Sequence, residues 1–237
     1  MTGRYTHGTI AWTELFAGDA ARQRDFYAAL LGWRFDERLR AWSPSSGKPV
    51  AALRPRADGL RGWAPFIAVD DVGAVQRAVL AASGRVHGEG ELEDPGGGRF
   101  FVWDGAPFEG PHGLNAPGGL AWNEVWSSDT AATIAFYRRA LGWNLKEQPG
   151  FGGAPYTMFA GRDRPGWTHA GVRSLEGGGA PRWMSYFEVE GCARSVEVAR
   201  ELGADITMPA THVPGVGWLA TARDLEGSLF GLLQSGA

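Results

Sequence analysis

Two glutamates stand in strand-like segments of the sequence, each between aromatic residues. Glu14 lies between Trp12 and Phe16 in "TIAWTELF". Since alternate residues of a β-strand share a face, these three side chains are expected on the same face. A carboxylate between apolar walls has a raised pKa, which suits it to anchoring a ligand or to general-base work. The alternative is a structural carboxylate that hydrogen-bonds to backbone or pairs with an arginine.

The second glutamate repeats this pattern. Glu124 lies between Trp122 and Trp126 in "AWNEVWSS". Tryptophan is large and flat and carries one polar N–H, so it stacks well on a flat, apolar ligand. The occurrence of the same pattern in two places slightly favours the structural alternative for both carboxylates.

Further candidates stand in other strand-like segments. Glu188 and Tyr186 lie in "WMSYFEVE", Phe66 in "PFIAVDD" and His169 in "WTHAGV". A register error of one residue would turn any of them to the opposite face of its strand. Core packing is the alternative for Phe66, and a surface or buried core histidine for His169. The catalytic candidates are Glu14, Glu124 and Glu188, and the ligand-binding candidates are Trp12, Phe16, Phe66, Trp122, Trp126, His169 and Tyr186.

An internal repeat must position these residues. The segment "AWTELFAGDAARQRDFYAALLGW" begins at Ala11, and "AWNEVWSSDTAATIAFYRRALGW" begins at Ala121. A tryptophan followed seven residues later by an acid occurs four times, ending at Asp19, Asp70, Asp129 and Glu190. Each acid is predicted to cap a helix, and Gly32 and Gly142 to end the first and third helices. We therefore predict four modules, each with one strand, one helix and about three further strands.

The repeat also predicts the domain organisation. The modules are expected at about 8–60, 62–112, 118–176 and 181–235. They would pair into repeats at 1–112 and 118–237, joined by the Gly- and Pro-rich connector "FEGPHGLNAPGG".

Composition excludes several classes of function. The net charge of −3 over 237 residues gives no basic surface for nucleic acid. No apolar run is long enough to span a membrane, and no signal peptide is recognised. Cys192 is the only cysteine, so no internal disulfide can form, which suits a cytoplasmic protein. The expected partner is a small molecule, and the chain is expected to be a monomer or a homodimer.

Three motifs carry a resemblance to a known family. "FYAALLGW", "FYRRALGW" and the ending "DLEGSLFGLLQ" resemble the vicinal oxygen chelate superfamily of glyoxalases, bleomycin-resistance proteins and extradiol dioxygenases. The resemblance implies an α+β fold of the tandem type, with four βαβββ-like modules paired into two curved-sheet repeats. It also implies a divalent metal held by His and Glu side chains from the strands.

The positions that correspond to those ligands hold unsuitable residues. The resemblance places the metal ligands at Trp12, Ala64, Trp122, Met184 and Gly231. Aligning the turn in "WDGAPFEG" with "DLEGSLFG" puts Glu109 at the glutamate position of the first repeat. We therefore expect no cofactor. An atypical divalent site around Glu109, His169 or Glu188 is the alternative.

Two functions remain open. The first is a metal-independent protein with an aromatic-lined cavity for an apolar or aromatic compound, in a sequestration or resistance role. The alternative is a glyoxalase-like lyase, isomerase, cyclase or dioxygenase that uses the cavity carboxylates, with or without an atypical metal.

Overall fold

The computed structural model describes residues 5–57, 59–88, 90–104, 114–150, 155–175 and 179–236. The first repeat contains β1 (Ile10–Ala17), α1 (Ala20–Leu31), β2 (Arg34–Phe35), β3 (Arg40–Trp42), β4 (Pro49–Pro55), β5 (Gly62–Ala68), α2 (Val72–Ala81), β6 (Arg85–Val86), β7 (Glu91–Glu93) and β8 (Arg99–Trp103). The second repeat contains β9 (Leu120–Ser127), α3 (Thr130–Leu141), β10 (Asn144–Pro149), β11 (Pro155–Ala160), β12 (Thr168–Ser174), β13 (Arg182–Glu188), α4 (Cys192–Glu201), β14 (Asp205–Val213), β15 (Gly217–Arg223) and β16 (Leu229–Ser235).

Each repeat supplies one eight-stranded sheet of equivalent order. The orders are β2-β3-β4-β1-β5-β8-β7-β6 and β10-β11-β12-β9-β13-β16-β15-β14. Within a module the first strand pairs in parallel with the last strand, as β1 does with β4 and β13 with β16. Over the described residues, four modules of one strand, one helix and three strands follow one another. The predicted α+β tandem vicinal oxygen chelate fold is confirmed.

The packing of the chain defines two compact units. One unit comprises Met1–Trp12, Pro65–Gly110 and Asn123–Trp183, and the other comprises Thr13–Ala64, Pro111–Trp122 and Met184–Ala237. The first unit therefore holds most of the second and third modules, and the other unit holds most of the first and fourth. The division of the sequence into repeats at 1–112 and 118–237 stays a prediction.

The helix ends agree with the sequence pattern in two modules and differ in the others. Asp19 and Asp129 cap α1 and α3, and each side chain accepts a hydrogen bond from the backbone N–H of the third helical residue. Gly32 and Gly142 end these helices in the left-handed conformation, at φ 69° and 66°. The predicted caps Asp70 and Glu190 are wrong, because α2 and α4 begin one residue later, after Asp71 and Gly191.

A buried tyrosine explains the "FY" motif in each repeat. The Tyr27 hydroxyl donates to Asp224 Oδ2 at 3.0 Å and accepts from Trp63 Nε1 at 3.0 Å. Burial raises the pKa of Tyr27 well above its usual value. Burial likewise raises the pKa of Asp224, although backbone N–H groups of its own turn donate to the carboxylate. The motif therefore joins helix α1 to the turn at Asp224 in the core of the unit that contains the first and fourth modules.

The other unit contains the same arrangement. Tyr137 donates to Asp94 Oδ2 at 3.0 Å and accepts from Trp183 Nε1 at 2.9 Å. The Asp94 carboxylate also accepts from the N–H groups of Gly96 and Gly98. The turn that begins at Asp94 is thus the counterpart of the turn at Asp224, so Phe100 corresponds to Phe230.

Candidate functional site

In the first repeat, the glutamate of β1 forms an ion pair. Leu15 and Ala17 lie in the hydrophobic core, so strand alternation places Trp12, Glu14 and Phe16 on the other face of β1. Glu14 is 3% exposed. Arg54 of β4 donates to both of its carboxylate oxygens, from Nε at 2.6 Å and from Nη2 at 2.9 Å. This two-point pairing supports the structural alternative for Glu14.

Aromatic side chains flank this ion pair along β1. Trp12 and Phe16 are both buried. The Arg56 guanidinium lies 5.5 Å from the centre of the Phe16 ring, a distance at which a cation is attracted to an aromatic face. The predicted grouping of a carboxylate with two aromatic residues is therefore present on this face, together with two arginines.

In the second repeat, a tyrosine and a tryptophan donate hydrogen bonds to the equivalent glutamate. Val125 lies in the hydrophobic core, so Trp122, Glu124 and Trp126 lie on the other face of β9. The Tyr156 hydroxyl of β11 donates to Glu124 Oε1 at 2.8 Å, and Trp126 Nε1 donates to Glu124 Oε2 at 2.7 Å. The carboxylate itself is buried, whereas both flanking tryptophans are half-buried.

The arginine that corresponds to Arg54 has another contact in the second repeat. Arg54 lies opposite Phe16 in the parallel pairing of β1 with β4, and Arg173 lies opposite Trp126 in the pairing of β9 with β12. The Arg173 guanidinium lies 4.9 Å from the centre of the Trp126 ring. The two faces therefore hold equivalent residues but use their arginines differently.

A glycine gives Tyr156 its path to Glu124. Gly171 of β12 lies directly opposite Glu124, where the first repeat has Ala52 opposite Glu14. A Cβ atom at Gly171 would lie 2.0 Å from the Tyr156 hydroxyl oxygen and 2.4 Å from the carbon that bears it. Only a residue without a side chain leaves room for this tyrosine, as is common where another group approaches a strand closely.

The third predicted carboxylate is bound at the end of a neighbouring strand. Glu188 is buried and accepts from the backbone N–H of Ser235 at 2.7 Å and from the Ser235 hydroxyl at 2.8 Å. In the parallel pairing of β13 with β16, Glu188 lies opposite Leu233. These contacts describe a carboxylate that secures the end of β16.

Phe66 and Tyr186 lie at equivalent positions of β5 and β13. Phe66 stacks on Phe101 of β8, with ring centres 4.6 Å apart and planes 9° from parallel. Tyr186 lies opposite Gly231, and a Cβ atom there would lie 2.0 Å from the Tyr186 ring. Both aromatic residues therefore cover the last strand of their module.

His169 lies at an irregularity of β12. Phe159 of β11 pairs with Ala170, but the next residue, Ala160, pairs with Thr168, so His169 is the extra residue of a bulge. Its ring lies edge-on to Trp143, with centres 5.3 Å apart. Burial lowers the pKa of His169 to about 3, so the ring is neutral at physiological pH.

The residues at the family's metal-ligand positions do not fit a metal. Because the Asp94 turn corresponds to the Asp224 turn, the position equivalent to Gly231 is Phe101, and the alignment that selected Glu109 is wrong. Glu109 itself lies outside the described residues. Phe101 and Gly231 offer no side-chain ligand and are covered by Phe66 and Tyr186. In the described part of the chain, no three His, Cys, Asp or Glu residues come together as a metal-binding group.

Sequence reasoning missed Arg56 and four strand residues of these two faces. Arg54, Tyr156, Gly171 and Arg173 come from β4, β11 and β12, and no local pattern specifies the positions of these strands in the sheets relative to β1 and β9. One signal was available, since a glycine inside a strand, as in "HAGVRS", indicates a close approach by another group.

Comparisons with known proteins show what the chain is similar to. The model of the Glyoxalase/Bleomycin resistance protein/Dioxygenase superfamily matches residues 9–116. The chain is 26% identical to the Mycobacterium tuberculosis protein named "Putative glyoxylase CFP32", over 97% of this chain and 96% of that protein. It is 29% identical to the anthracycline biosynthesis protein DnrV of Streptomyces peucetius, over 98% of this chain and 94% of that protein.

Solved structures share the fold of this chain. The Mn(II)-bound glyoxalase from Novosphingobium aromaticivorans superposes with a TM-score of 0.63 at 18% identity, covering 96% of this chain and 82% of that one. The 2,3-dioxygenase LapB from Pseudomonas sp. KL28 superposes with a TM-score of 0.61 at 13% identity, covering 98% and 94%. At these identities the likeness shows the fold only. The protein is a tandem βαβββ protein, and its residues 9–116 match the model of the glyoxalase/bleomycin resistance protein/dioxygenase superfamily.

Proposed function

We propose that this protein binds a flat aromatic or apolar small molecule without a metal, in a sequestration or resistance role. The observation that carries the proposal is the face of β9, where Trp122 and Trp126 flank Glu124. Two half-buried tryptophans beside one positioned polar group are typical of sites for flat organic ligands. The sequence places a second face on β1, where a tryptophan and a phenylalanine flank the glutamate.

The residues at the superfamily's metal-ligand positions support ligand binding without a metal. The positions that would supply metal-binding carboxylates in this superfamily hold Phe101 and Gly231. An aromatic ring covers each of them, so no carboxylate could be placed there without displacing Phe66 or Tyr186. Glu188 is already engaged by Ser235, and His169 packs against Trp143. The alternative of an atypical site around these residues is therefore disfavoured.

The name of one relative supports a flat aromatic ligand. One relative is named for anthracycline biosynthesis, and an anthracycline is a fused-ring aromatic compound. Identity of 29% over nearly the whole chain makes a related ligand a reasonable first choice for this protein. A hydroxylated anthraquinone is accordingly the probe that we select.

An enzyme that uses Glu124 is the second candidate. The Tyr156 hydroxyl lies 2.8 Å from Glu124 Oε1, and a carboxylate joined to a phenol in this way can pass a proton to or from a ligand. Such chemistry would serve a lyase, isomerase or cyclase. Turnover of the bound compound, lost in Glu124→Gln, would favour this candidate over simple binding.

Charge and cysteine content bear on other partners and on the cellular location. The net charge of −3 disfavours nucleic acid as a partner, and the single buried, free Cys192 suits a reducing cytoplasm. No helix among the described residues is long and apolar enough to cross a bilayer. We propose a cytoplasmic monomer or homodimer.

The test is a calorimetric titration of the chelator-treated protein with an anthraquinone that carries one hydroxyl, placed away from the ring carbonyls so that the compound cannot chelate a metal. The proposal expects saturable binding with quenching of tryptophan fluorescence. Binding that appears only after a divalent metal is added would contradict it.

A further inference from the structure

We infer that the segment before β1, residues 5–9, is a strap that closes over the chain at neutral pH and opens in acid. Two histidines control it, His7 within the strap and His169 beneath it, and both are neutral in the closed form. This conformational change goes beyond the proposed function and does not depend on it.

Backbone hydrogen bonds hold the strap against the end of β5. The N–H of Gly8 donates to the Ala68 carbonyl, and the N–H of Ala68 donates to the Thr9 carbonyl, both at 2.8 Å. The Trp143 indole N–H donates to the Gly8 carbonyl at 2.5 Å. A Cβ atom at Gly8 would lie 3.0 Å from that indole nitrogen, so the strap packs directly on Trp143. Opening the strap would therefore uncover Trp143 and free the start of β1 from β5.

His7 closes the strap through an unprotonated ring nitrogen. Its Nδ1 accepts a hydrogen bond from the backbone N–H of Asp70 at 3.2 Å, which requires a lone pair on that nitrogen. The charged groups that face the ring are Asp70, with Oδ2 3.3 Å from Nδ1, Arg162 and Asp163. Burial and the Arg162 charge lower the pKa of His7, against the opposite effect of the two aspartates. A proton on Nδ1 would break the bond from the Asp70 backbone, so the neutral ring favours the closed strap.

His169 lies beneath the strap, beside Trp143. Its ring is buried, and neither ring nitrogen has a hydrogen-bond partner within the described residues. The Gly8 carbonyl lies near enough to favour the protonated ring, but burial has the larger effect and lowers the pKa of His169 to about 3. The ring therefore takes up a proton more readily once the strap lifts and water reaches it.

The connector before β9 is the counterpart of the strap in the second repeat. The N–H of Gly118 donates to the Glu188 carbonyl at 2.8 Å, and the N–H of Glu188 donates to the Gly119 carbonyl at 2.9 Å. Trp33 Nε1 donates to the Gly118 carbonyl at 2.7 Å. These bonds repeat those of the strap, so the two segments are held in the same way.

The counterpart lacks both histidines. Pro117 stands in the place of His7, one residue before the glycine. Val50 stands in the place of His169, since each lies two residues before the residue opposite the strand glutamate. The connector should therefore not respond to acid, and it serves as a control within the same molecule.

Hydrogen exchange of single backbone amides on the full-length protein measures the opening. Protection factors, corrected for the intrinsic pH dependence of exchange, should fall by about thirtyfold or more at Gly8 and Ala68 between pH 7.5 and pH 5. The reason is that His169 regains its ordinary pKa of 6.5 once the strap is open. The closed strap is thus fully stable above pH 6.5 and loses stability as the pH falls. The amides of Gly118 and Glu188 should keep their protection.

Variants assign the effect to the two histidines. His169→Val introduces the residue of the counterpart and should remove most of the pH dependence at the strap. The double variant with His7→Gln should remove the rest. His212→Gln, which changes an exposed histidine of β14, is the matched control and should behave as the wild type does. Circular dichroism at each pH confirms that every variant is folded.

Three results would overturn the inference. Equal loss of protection at the strap and at the connector would mean that acid unfolds the whole protein and not the strap. Protection at Gly8 and Ala68 that stays constant between pH 7.5 and pH 5 would mean that the strap does not open. A pH dependence that persists in the double variant would show that other groups control it.

Discussion

The Tyr137 hydroxyl donates a hydrogen bond of 3.0 Å to Asp94 Oδ2, which joins helix α3 to a turn of the preceding module. Tyr27 makes the same bond to Asp224 in the other unit. The "FY" motif that marks the repeat is thus a structural feature of both cores. Residues that differ around the two glutamates, such as Ala52 and Gly171, lie on the strands.

Removing the Tyr137 hydroxyl should destabilise the protein. Tyr137→Phe leaves the buried Asp94 carboxylate and the Trp183 N–H each without one partner, and we expect the free energy of unfolding to fall by about 1–3 kcal/mol. Urea denaturation measures this change. Tyr27→Phe should lose a similar amount, whereas Tyr156→Phe should lose less because Tyr156 is only half-buried. Equal losses in Tyr137→Phe and Tyr156→Phe would contradict the assignment.

Glu14 should contribute to stability and not to ligand binding. Glu14→Gln removes the charge that pairs with Arg54, whose side chain is 56% exposed and can regain water. We therefore expect a loss of only about 1 kcal/mol in unfolding free energy. The loss should shrink at high salt because ions screen such a partly exposed pair. A variant as stable as the wild type at every salt concentration would rule out the structural role.

Gly231 should not tolerate a side chain. Gly231→Ala places a Cβ atom 2.0 Å from the Tyr186 ring, which is itself buried, so we expect a cost of about 1–3 kcal/mol in unfolding free energy. Gly166→Ala is the matched control, since nothing lies within 4 Å of a Cβ atom at that position. Similar stabilities for the two variants would show that Tyr186 does not occupy this space. The family's glutamate could then be accommodated there.

His169 should make the protein less stable in acid. Its folded pKa of about 3 lies below the ordinary histidine pKa of 6.5, so below pH 6.5 the unfolded chain binds a proton that the folded chain does not. The stability is fully present above pH 6.5 and is lost as the pH falls towards 3. Between about pH 7 and pH 5 this histidine alone should cost about 2 kcal/mol.

The variant His169→Phe isolates this effect. Phenylalanine keeps a flat ring beside Trp143 and cannot take up a proton. Its unfolding free energy should fall less than that of the wild type over the same pH range. Parallel pH profiles for the two proteins would mean that His169 titrates normally and is not buried as described.

The sequence predicts the repeated fold well because its signals are local. Capping aspartates, helix-ending glycines and paired aromatics mark each module within a few dozen residues. The errors at Asp70 and Glu190 are of one residue, where two polar or small residues compete for the cap. The alignment error at Glu109 has another cause, since the turn at Asp94 reads "DPGGG" and lacks the "DLEG" pattern of its counterpart.

The site could be predicted only in part. Alternation along β1 and β9 places the glutamates and their aromatic neighbours on one face, as the sequence suggests. The partners Arg54 and Tyr156 lie on other strands, and only strand register brings them to Glu14 and Glu124. His169 escapes the alternation rule because a bulge lies at its position. The difference between the two repeats is therefore visible only in three dimensions.

The most direct test of metal independence is elemental analysis of the protein purified without a metal-binding tag or a chelator. Because Phe101 and Gly231 offer no metal ligand, we predict far less than one divalent ion per chain. We also expect the protein as purified to bind the ligand as tightly as the chelator-treated protein does. One tightly held divalent ion per chain would contradict this account and would direct attention to the enzyme alternatives of the superfamily.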